Sequence, residues 1–462
     1  MLVMKFGGTS VGSAVRFREV ARIVEGAPKP SCVVVSAMSG TTSALIEGGR
    51  AAAGGDADQA AAIRARLLAR HLDTVGALLP EGDERSALEE YVRQRLQGYE
   101  RLCLSIETLG EVTMRGNDAL ASIGEELSSR MLAAYLRSCG VPAEQVSATT
   151  LVRTDDQFGS ANPDMAVTRA LCAERLLPLL NGGVTPIVTG YVGATAAGVT
   201  TTLGRGGSDY TAAILGDCLD ADEVWIWTDV DGILTADPKL VPGARVLADL
   251  SYREAEELAY FGANVLHPKT VAPLARRGIP LHIRNSFAAD HPGTRIVTQP
   301  DAGRAILPAI ISTEGLSLIG VSGNGSGWSL HMASRALRCL AEAGVDVLMF
   351  SQSFTERSLS LLLNERDQAH SIRVLRKEFE HDLQLHLLAE IEAIEEVATV
   401  SVVGSPDAHG NSIASRAYSC LGKLGLRVIA VGQAASAYSV SFVLAESDVA
   451  RVVPFIHAEL GL

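Results

Sequence analysis

The chain has 462 residues, enough for two or three domains with ample core, and its 47% hydrophobic content is that of a globular protein. A net charge of −13 without any strongly basic tract excludes a phosphate-backbone binder, which needs clustered Lys and Arg, so no nucleic-acid partner is expected. No run approaches the roughly 18 apolar residues of a membrane span, and Gly7 already opens a glycine loop where a signal peptide needs an apolar stretch, so the cytoplasm is the default expectation.

Residues 2–6 read as a short buried strand ending at Gly7 and Gly8, after which Ala14, Phe17, Ala21 and Val24 fall at helical spacing. Strand, glycine loop and helix in that order make a phosphate-binding candidate with Lys5 as its cation, although no G-x-x-x-x-G-K-[ST] occurs. Residues 32–36 form a second buried-type strand. The hydroxyl-rich loop 37–42 lies at its carboxyl end, where open α/β sheets bind ligands.

From Leu45 to about Arg137 the pattern is helical, with no convincing strand. Within it Glu125 follows a glycine early in a helix, a position where a solvated or capping acid is the commoner meaning. Strands return at 186–192, at the start of 200–213 and at 223–228.

The stretch 200–213, TTTLGRGGSDYTAA, runs from a strand end into a turn of Gly204, Gly206 and Gly207, with Ser208 and Asp209 placed to cap an apolar helix. A helix start gathers unpaired N–H groups and the positive dipole end, and Arg205 within the turn can hold a carboxylate with its planar fork. Taken alone, a tight turn with a surface arginine is the commoner meaning of such a motif. The polar turn 228–232 after a buried strand carries two acids, which suit either a nucleotide site or an ordinary Asx turn.

Alternating strands and helices over the first 300 or so residues imply a mostly parallel sheet covered on both faces. Lys5, Ser36, Arg205 and Asp229 fall at or just after strand carboxyl ends, which converge along one edge of such a sheet. Seven cysteines without a C-x-x-C pair indicate core residues of a reducing compartment, and no protein metal site is expected.

A linker-like cluster at 299–303 marks a change of character. Beyond it lies an internal repeat: residues 344–363 match 425–444, pairing Gln352 with Gln433, Ser358 with Ser439 and Ser360 with Ser441. An apolar strand (316–321; 398–403), a glycine-bearing loop and an amphipathic helix precede each copy, giving β-α-β-β twice, the size of a small ligand-binding module.

KFGGTSVG at 5–12, VVVSAMSGTT at 33–42, SIGEELSS at 122–129, the stretch 200–213, WTDVDGILTADP at 227–238 and FGANVLHP at 261–268, followed by the tandem repeat, together resemble aspartokinase over essentially the whole chain. The resemblance implies an amino-acid-kinase domain over 1–303 and two α+β, ferredoxin-like ACT modules over 304–394 and 395–462. It also implies phosphorylation of the L-aspartate β-carboxylate by ATP with Mg²⁺, the first step toward lysine, threonine and methionine. Feedback would come from threonine or, second, lysine bound near Gln352 and Gln433 in a homodimer or higher oligomer built through the ACT modules.

By the same resemblance Lys5 is the catalytic cation, Asp209 positions it, and Arg205 clamps an aspartate carboxylate. Glu125 pairs with the substrate ammonium, and Ser36, Thr42, Tyr191 and Ser208 complete the pocket. Gly7, Gly8, Thr228, Asp229, Leu234, Lys239 and Asn264 fall on nucleotide-side positions, with Leu234 where an aromatic is often found and Asn264 in place of the lysine of FGAKVLHP. The histidines, His267 included, read as structural. A kinase of glutamate, acetylglutamate or a nucleotide, and an amino-acid sensor with a silent kinase domain, are the competing expectations. The repeat is most similar to the regulatory part of threonine-responsive kinase–dehydrogenase fusions. No dehydrogenase G-x-G-x-x-G unit follows it, so kinase activity is the most that is expected.

Overall fold

The computed structural model describes residues 1–260, 266–300, 308–324, 330–353, 357–404, 413–433 and 438–462. The chain forms two compact units, one of Met1–Ile233, Ala248–Glu256 and Asn264–Ala302, the other of Leu234–Leu247, Glu257–Ala263 and Gly303–Leu462.

The first unit begins with β1 (Leu2–Phe6), α1 (Ala14–Gly26) and β2 (Ser31–Val35), then a helical block of α2 (Thr41–Ala53), α3 (Ala57–Leu78), α4 (Asp83–Leu109) and α5 (Met114–Ser138). There follow β3 (Ala143–Val146), α6 (Met165–Asn181), β4 (Thr185–Thr189), β5 (Val192–Ala194), β6 (Thr200–Thr202), α7 (Gly207–Cys218) and β7 (Glu223–Thr228). The set closes with β8 (Asp249–Ser251), α8 (Tyr252–Tyr260), α9 (Pro268–Arg277), β9 (Leu281–Asn285) and β10 (Thr294–Val297).

Eight strands make one sheet in the order β3-β4-β2-β1-β7-β9-β10-β8, parallel throughout except between β9 and β10. Every residue of β1, β2 and β4 is buried, as continuous apolar runs in a sheet covered on both faces must be. Lys5 on central β1 lies opposite Val34 of β2 and Ile226 of β7, so its side chain rises from the middle of the sheet.

Two local expectations are corrected. The strand expected at 186–192 breaks after Thr189 because Tyr191 takes a left-handed φ of 72° and its N–H bonds the Thr211 hydroxyl at 3.0 Å instead of a ladder partner. Beyond the break β5 pairs antiparallel with β6 in a separate two-stranded sheet, so the 200–213 motif departs from that small sheet. Glu125 is not early in its helix: Thr113 caps α5 by accepting from the Gly116 N–H at 3.0 Å, which leaves Glu125 near its middle.

In the second unit β11 (Ala309–Gly323), α10 (Leu330–Glu342), β12 (Met349–Ser353), β13 (Ser358–Asn364), α11 (Gln368–Glu378) and α12 (Glu380–Gln384) precede a matching set. That set is β14 (Leu388–Val403), α13 (Ile413–Leu424), β15 (Ala430–Gln433), β16 (Ser439–Ala445) and α14 (Val449–Leu460). A single antiparallel sheet runs β12-β13-β11-β14-β16-β15. Each repeat thus gains a second helix, α11 or α14, absent from the sequence reading.

The two long strands also trade places. β11 and β14 pair from Ala309 with Val403 to Gly323 with Leu388, so Ile310 packs among Val402 and Phe442 while Ile391 packs among Ile319 and Leu361. Each repeat therefore borrows its fourth strand from the other. The segment at 234–247 adds Ala236 to the core of the second repeat, and Thr235 shares a 2.9 Å hydrogen bond with His457.

Candidate functional site

At the carboxyl ends of the first unit's central strands lies a cavity of about 440 Å³. Lys5, 8% exposed, reaches across it, with its ammonium 2.6 Å from Asp209 Oδ1 in the first turn of α7. Asp209 and Ser208 do not cap that helix as the sequence implied. Gly206 is the cap residue, and its φ of 70° and the His267 side chain, which would lie 2.6 Å from a Cβ there, leave room for glycine alone. Freed from capping, the Asp209 carboxylate is committed to the lysine.

The loops after β1 and β2 meet backbone to backbone. Ser36 N–H donates to Phe6 O at 3.1 Å and Ser39 N–H to Gly8 O at 3.0 Å, and a Cβ on Gly8 would stand 2.8 Å from Ala37 O. Arg70 of α3 ties both loops from behind, donating to Ser39 O at 2.7 Å and to Gly12 O at 3.0 Å. Ser128 on α5 donates to Ser36 O at 2.6 Å and fixes the end of β2 to the helix that carries Glu125.

Glu125 is 4% exposed, and its Oε2 has no hydrogen-bond partner among the described residues. Burial pushes its carboxyl up to about 8 from 4.5, with Glu126 adding to the rise and backbone hydrogen bonds, including one from Ala37, opposing it. That shift corresponds to on the order of 5 kcal/mol against ionising the side chain. A cation beside Oε2 would remove the penalty. Tyr191 stands near the same acid, its phenol raised chiefly by burial.

Lys5, Gly8, Ser36, Thr42, Glu125, Tyr191, Arg205, Ser208 and Asp209 all line this one cavity. Gly7 does not; its N–H bonds Trp227 O at 3.1 Å, stitching the loop to β7. Thr228 and Asp229 lie at the end of β7, outside the lining, with the Thr228 hydroxyl donating to Asp229 at 3.2 Å. Leu234 and the exposed Lys239 fold with the second unit and do not line the cavity. Asn264 lies outside the described residues. Gln352 sits inside β12 with its Nε2 buried and unpartnered among the described residues, and Gln433 ends β15, where it is exposed. His267 caps α9, accepting from the Lys269 N–H at 3.2 Å.

Arg70 and Asp118 are the residues that the sequence reading missed. Arg70 lies on a helix studded with arginines, and Asp118 is one acid among many, so neither carries a local signal. Asp118 is fully buried and accepts hydrogen bonds from Gly159 and Thr202, beside the cavity wall.

A buried lysine–aspartate pair beneath two glycine-bearing loops of a parallel sheet, with a polar pocket alongside, defines a small-molecule phosphotransferase. The amino acid kinase family matches residues 1–285, and the ACT domain matches 319–379 and 400–460. Aspartokinase 1, chloroplastic, of Arabidopsis thaliana is 34% identical, over 98% of this chain and 79% of its own. The bifunctional aspartokinase/homoserine dehydrogenase 2, chloroplastic, of the same plant is 32% identical over 100% of this chain, which spans 50% of that protein. Among solved structures, E. coli aspartokinase III in complex with aspartate and ADP has a TM-score of 0.82 at 28% identity, over 100% of both chains. The same enzyme with lysine and aspartate has a TM-score of 0.78 at 30% identity, over 100% of this chain and 99% of that one. The chain belongs to the aspartokinases, enzymes of the amino acid kinase family that carry C-terminal ACT domains.

Proposed function

We propose that this chain transfers the γ-phosphoryl group of MgATP to the β-carboxylate of L-aspartate, giving 4-phospho-L-aspartate, under feedback control by an amino acid bound to its ACT modules. The observation that carries the substrate assignment is Glu125, a buried acid with a spare oxygen in the same cavity as the Lys5–Asp209 pair. An α-ammonium group is the cation that fits it. The E. coli relative with aspartate and ADP supports the reading.

An ionised carboxylate attacks phosphorus without a general base, so the site must align two anions and relieve their repulsion. Lys5 supplies charge where the phosphoryl group passes, and Asp209, 2.6 Å away, keeps that ammonium aimed. Arg205 takes a substrate carboxylate, while Ser36, Thr42, Ser208 and Tyr191 orient the rest by hydrogen bonds. Gly7, Gly8, Thr228 and Asp229 form the nucleotide side, and Leu234, Lys239 and Asn264 are assigned there by resemblance alone. Among the described residues no three His, Cys, Asp or Glu side chains gather as a preformed metal site. Mg²⁺ enters with the ATP phosphates as part of the substrate.

In this reading the catalytic domain spans 1–303, apart from the stretch at 234–247 that folds with the second unit, and the ACT modules span 304–394 and 395–462. Threonine is the first candidate effector and lysine the second, the latter supported by the lysine complex of the E. coli relative. The edge strands β12 and β15 leave ladder groups for pairing with a second copy, in line with a homodimer or larger oligomer. No helix among the described residues is long and apolar enough to cross a membrane, and the cytoplasm remains the proposed location.

The test is an ATP assay with hydroxylamine present to trap an acyl phosphate. Hydroxamate should form with aspartate and far less with glutamate or N-acetylglutamate. Equal yields from glutamate, or no aspartate-dependent ADP release, would overturn the proposal.

A further inference from the structure

We propose that Asp118 is a positioning residue for the amino-acid half of the site, holding the wall on which Tyr191 and Arg205 are mounted; the inference rests on the aspartate-kinase reading above. Asp118 and Glu125 lie two turns apart on α5, hence on the same face of one helix. Asp118 is 0% exposed, and no Lys or Arg pairs with it among the described residues. Burying a carboxylate this way is costly unless its oxygens are satisfied. Here Oδ2 accepts from Gly159 N–H at 2.9 Å and Thr202 N–H at 2.9 Å, and Oδ1 accepts from the Thr202 hydroxyl at 2.7 Å.

Those donors come from two separate stretches of the cavity wall. Gly159 lines the cavity itself. Thr202 ends β6, one residue before Leu203, whose N–H donates to Tyr191 O at 2.9 Å, and three before Arg205. The Thr202 side chain also stands beside the Tyr191 phenol. One helix therefore carries both the acid facing the substrate ammonium and the acid that fixes the strand leading to the carboxylate clamp. A shift at Asp118 changes the spacing between those two contacts while leaving the nucleotide side alone.

The test is steady-state kinetics of Asp118→Asn and Thr202→Val with each substrate varied in turn, alongside thermal denaturation. The asparagine places an amide donor against donors it cannot satisfy. Its aspartate KM should rise at least about tenfold with ATP KM within about twofold. Thr202→Val keeps the backbone bond to Asp118 and loses only the hydroxyl, so its aspartate KM should rise by about three- to tenfold, again without a change for ATP. Parallel rises in both KM values, or an unshifted aspartate KM, overturn the inference. Where Asp118→Asn fails to fold, Thr202→Val decides by the same criteria. A wild-type enzyme inert toward aspartate sinks the substrate reading and this inference with it, whereas an active wild type with unshifted variants sinks this inference alone.

Discussion

Lys5 Nζ lies 2.6 Å from Asp209 Oδ1, joining the central strand of the sheet to the first turn of α7, with the two side chains 10% and 16% exposed. The pair is held by residues distant in sequence, so the charge arrives at the cavity already aimed. Lys5→Met should lower kcat by about 10²- to 10³-fold, the usual cost of losing one preorganised electrostatic contact. Asp209→Asn should also lower kcat, since the lysine loses its anchor. Steady-state rates within tenfold of wild type for Lys5→Met would remove that lysine from the chemistry.

Arg70 makes a second kind of contribution, through backbone alone. By donating to Ser39 O and Gly12 O it fixes the spacing between the loops after β1 and β2, beside the cavity. Arg70→Met should reduce kcat by roughly tenfold or more while moving the melting temperature by only a few degrees, because a half-exposed side chain contributes little to stability. Free guanidinium in the assay should restore part of the lost rate. A variant with wild-type kcat would show that the loops hold their geometry unaided.

Regulation is tested at the matched glutamines. Gln352 and Gln433 occupy the sheet's two edge strands, where a side-chain amide can both donate to and accept from a bound amino acid. An inhibitor acting there has leverage equal to its differential affinity for two states, typically about 1 to 3 kcal/mol. Gln352→Ala and Gln433→Ala should raise the inhibitory concentration of threonine or lysine with little change in uninhibited kcat. Unchanged inhibition curves for the single and double variants would place the effector elsewhere.

Much of the first unit is legible where an apolar run ends at a residue that cannot continue it: β1 stops before Gly7 and β7 before Asp229. Tyr191 was not legible as a break, because a left-handed φ outside glycine leaves no mark in composition. β11 and β14 are longer than the apolar stretches suggest, since their outer halves are stabilised by pairing with each other. The cavity residues were legible because glycines and hydroxyls cluster visibly beside Lys5, Glu125 and Arg205. Arg70 and Asp118 act by contacts far along the chain, which no local pattern records. Leu234 and Lys239 fall on nucleotide-side positions by resemblance, yet they fold with the second unit.

The central claim, that the substrate ammonium docks on Glu125, is tested most directly by the proton it displaces. With its carboxyl raised to about 8 from 4.5, Glu125 adds to stability fully below the lower value, and that contribution is lost as pH rises through the upper one. In the empty site at pH 7 it is therefore mostly protonated. Binding an ammonium favours the charged form, so aspartate should expel most of one proton at pH 7 and far less at pH 9, with affinity rising toward pH 8 and then levelling. Titration calorimetry of aspartate in buffers of different ionisation enthalpy reads this number. The account predicts nearly one proton released by the wild type at pH 7 and none by Glu125→Gln. No release from the wild type, or equal release from the variant, would contradict it.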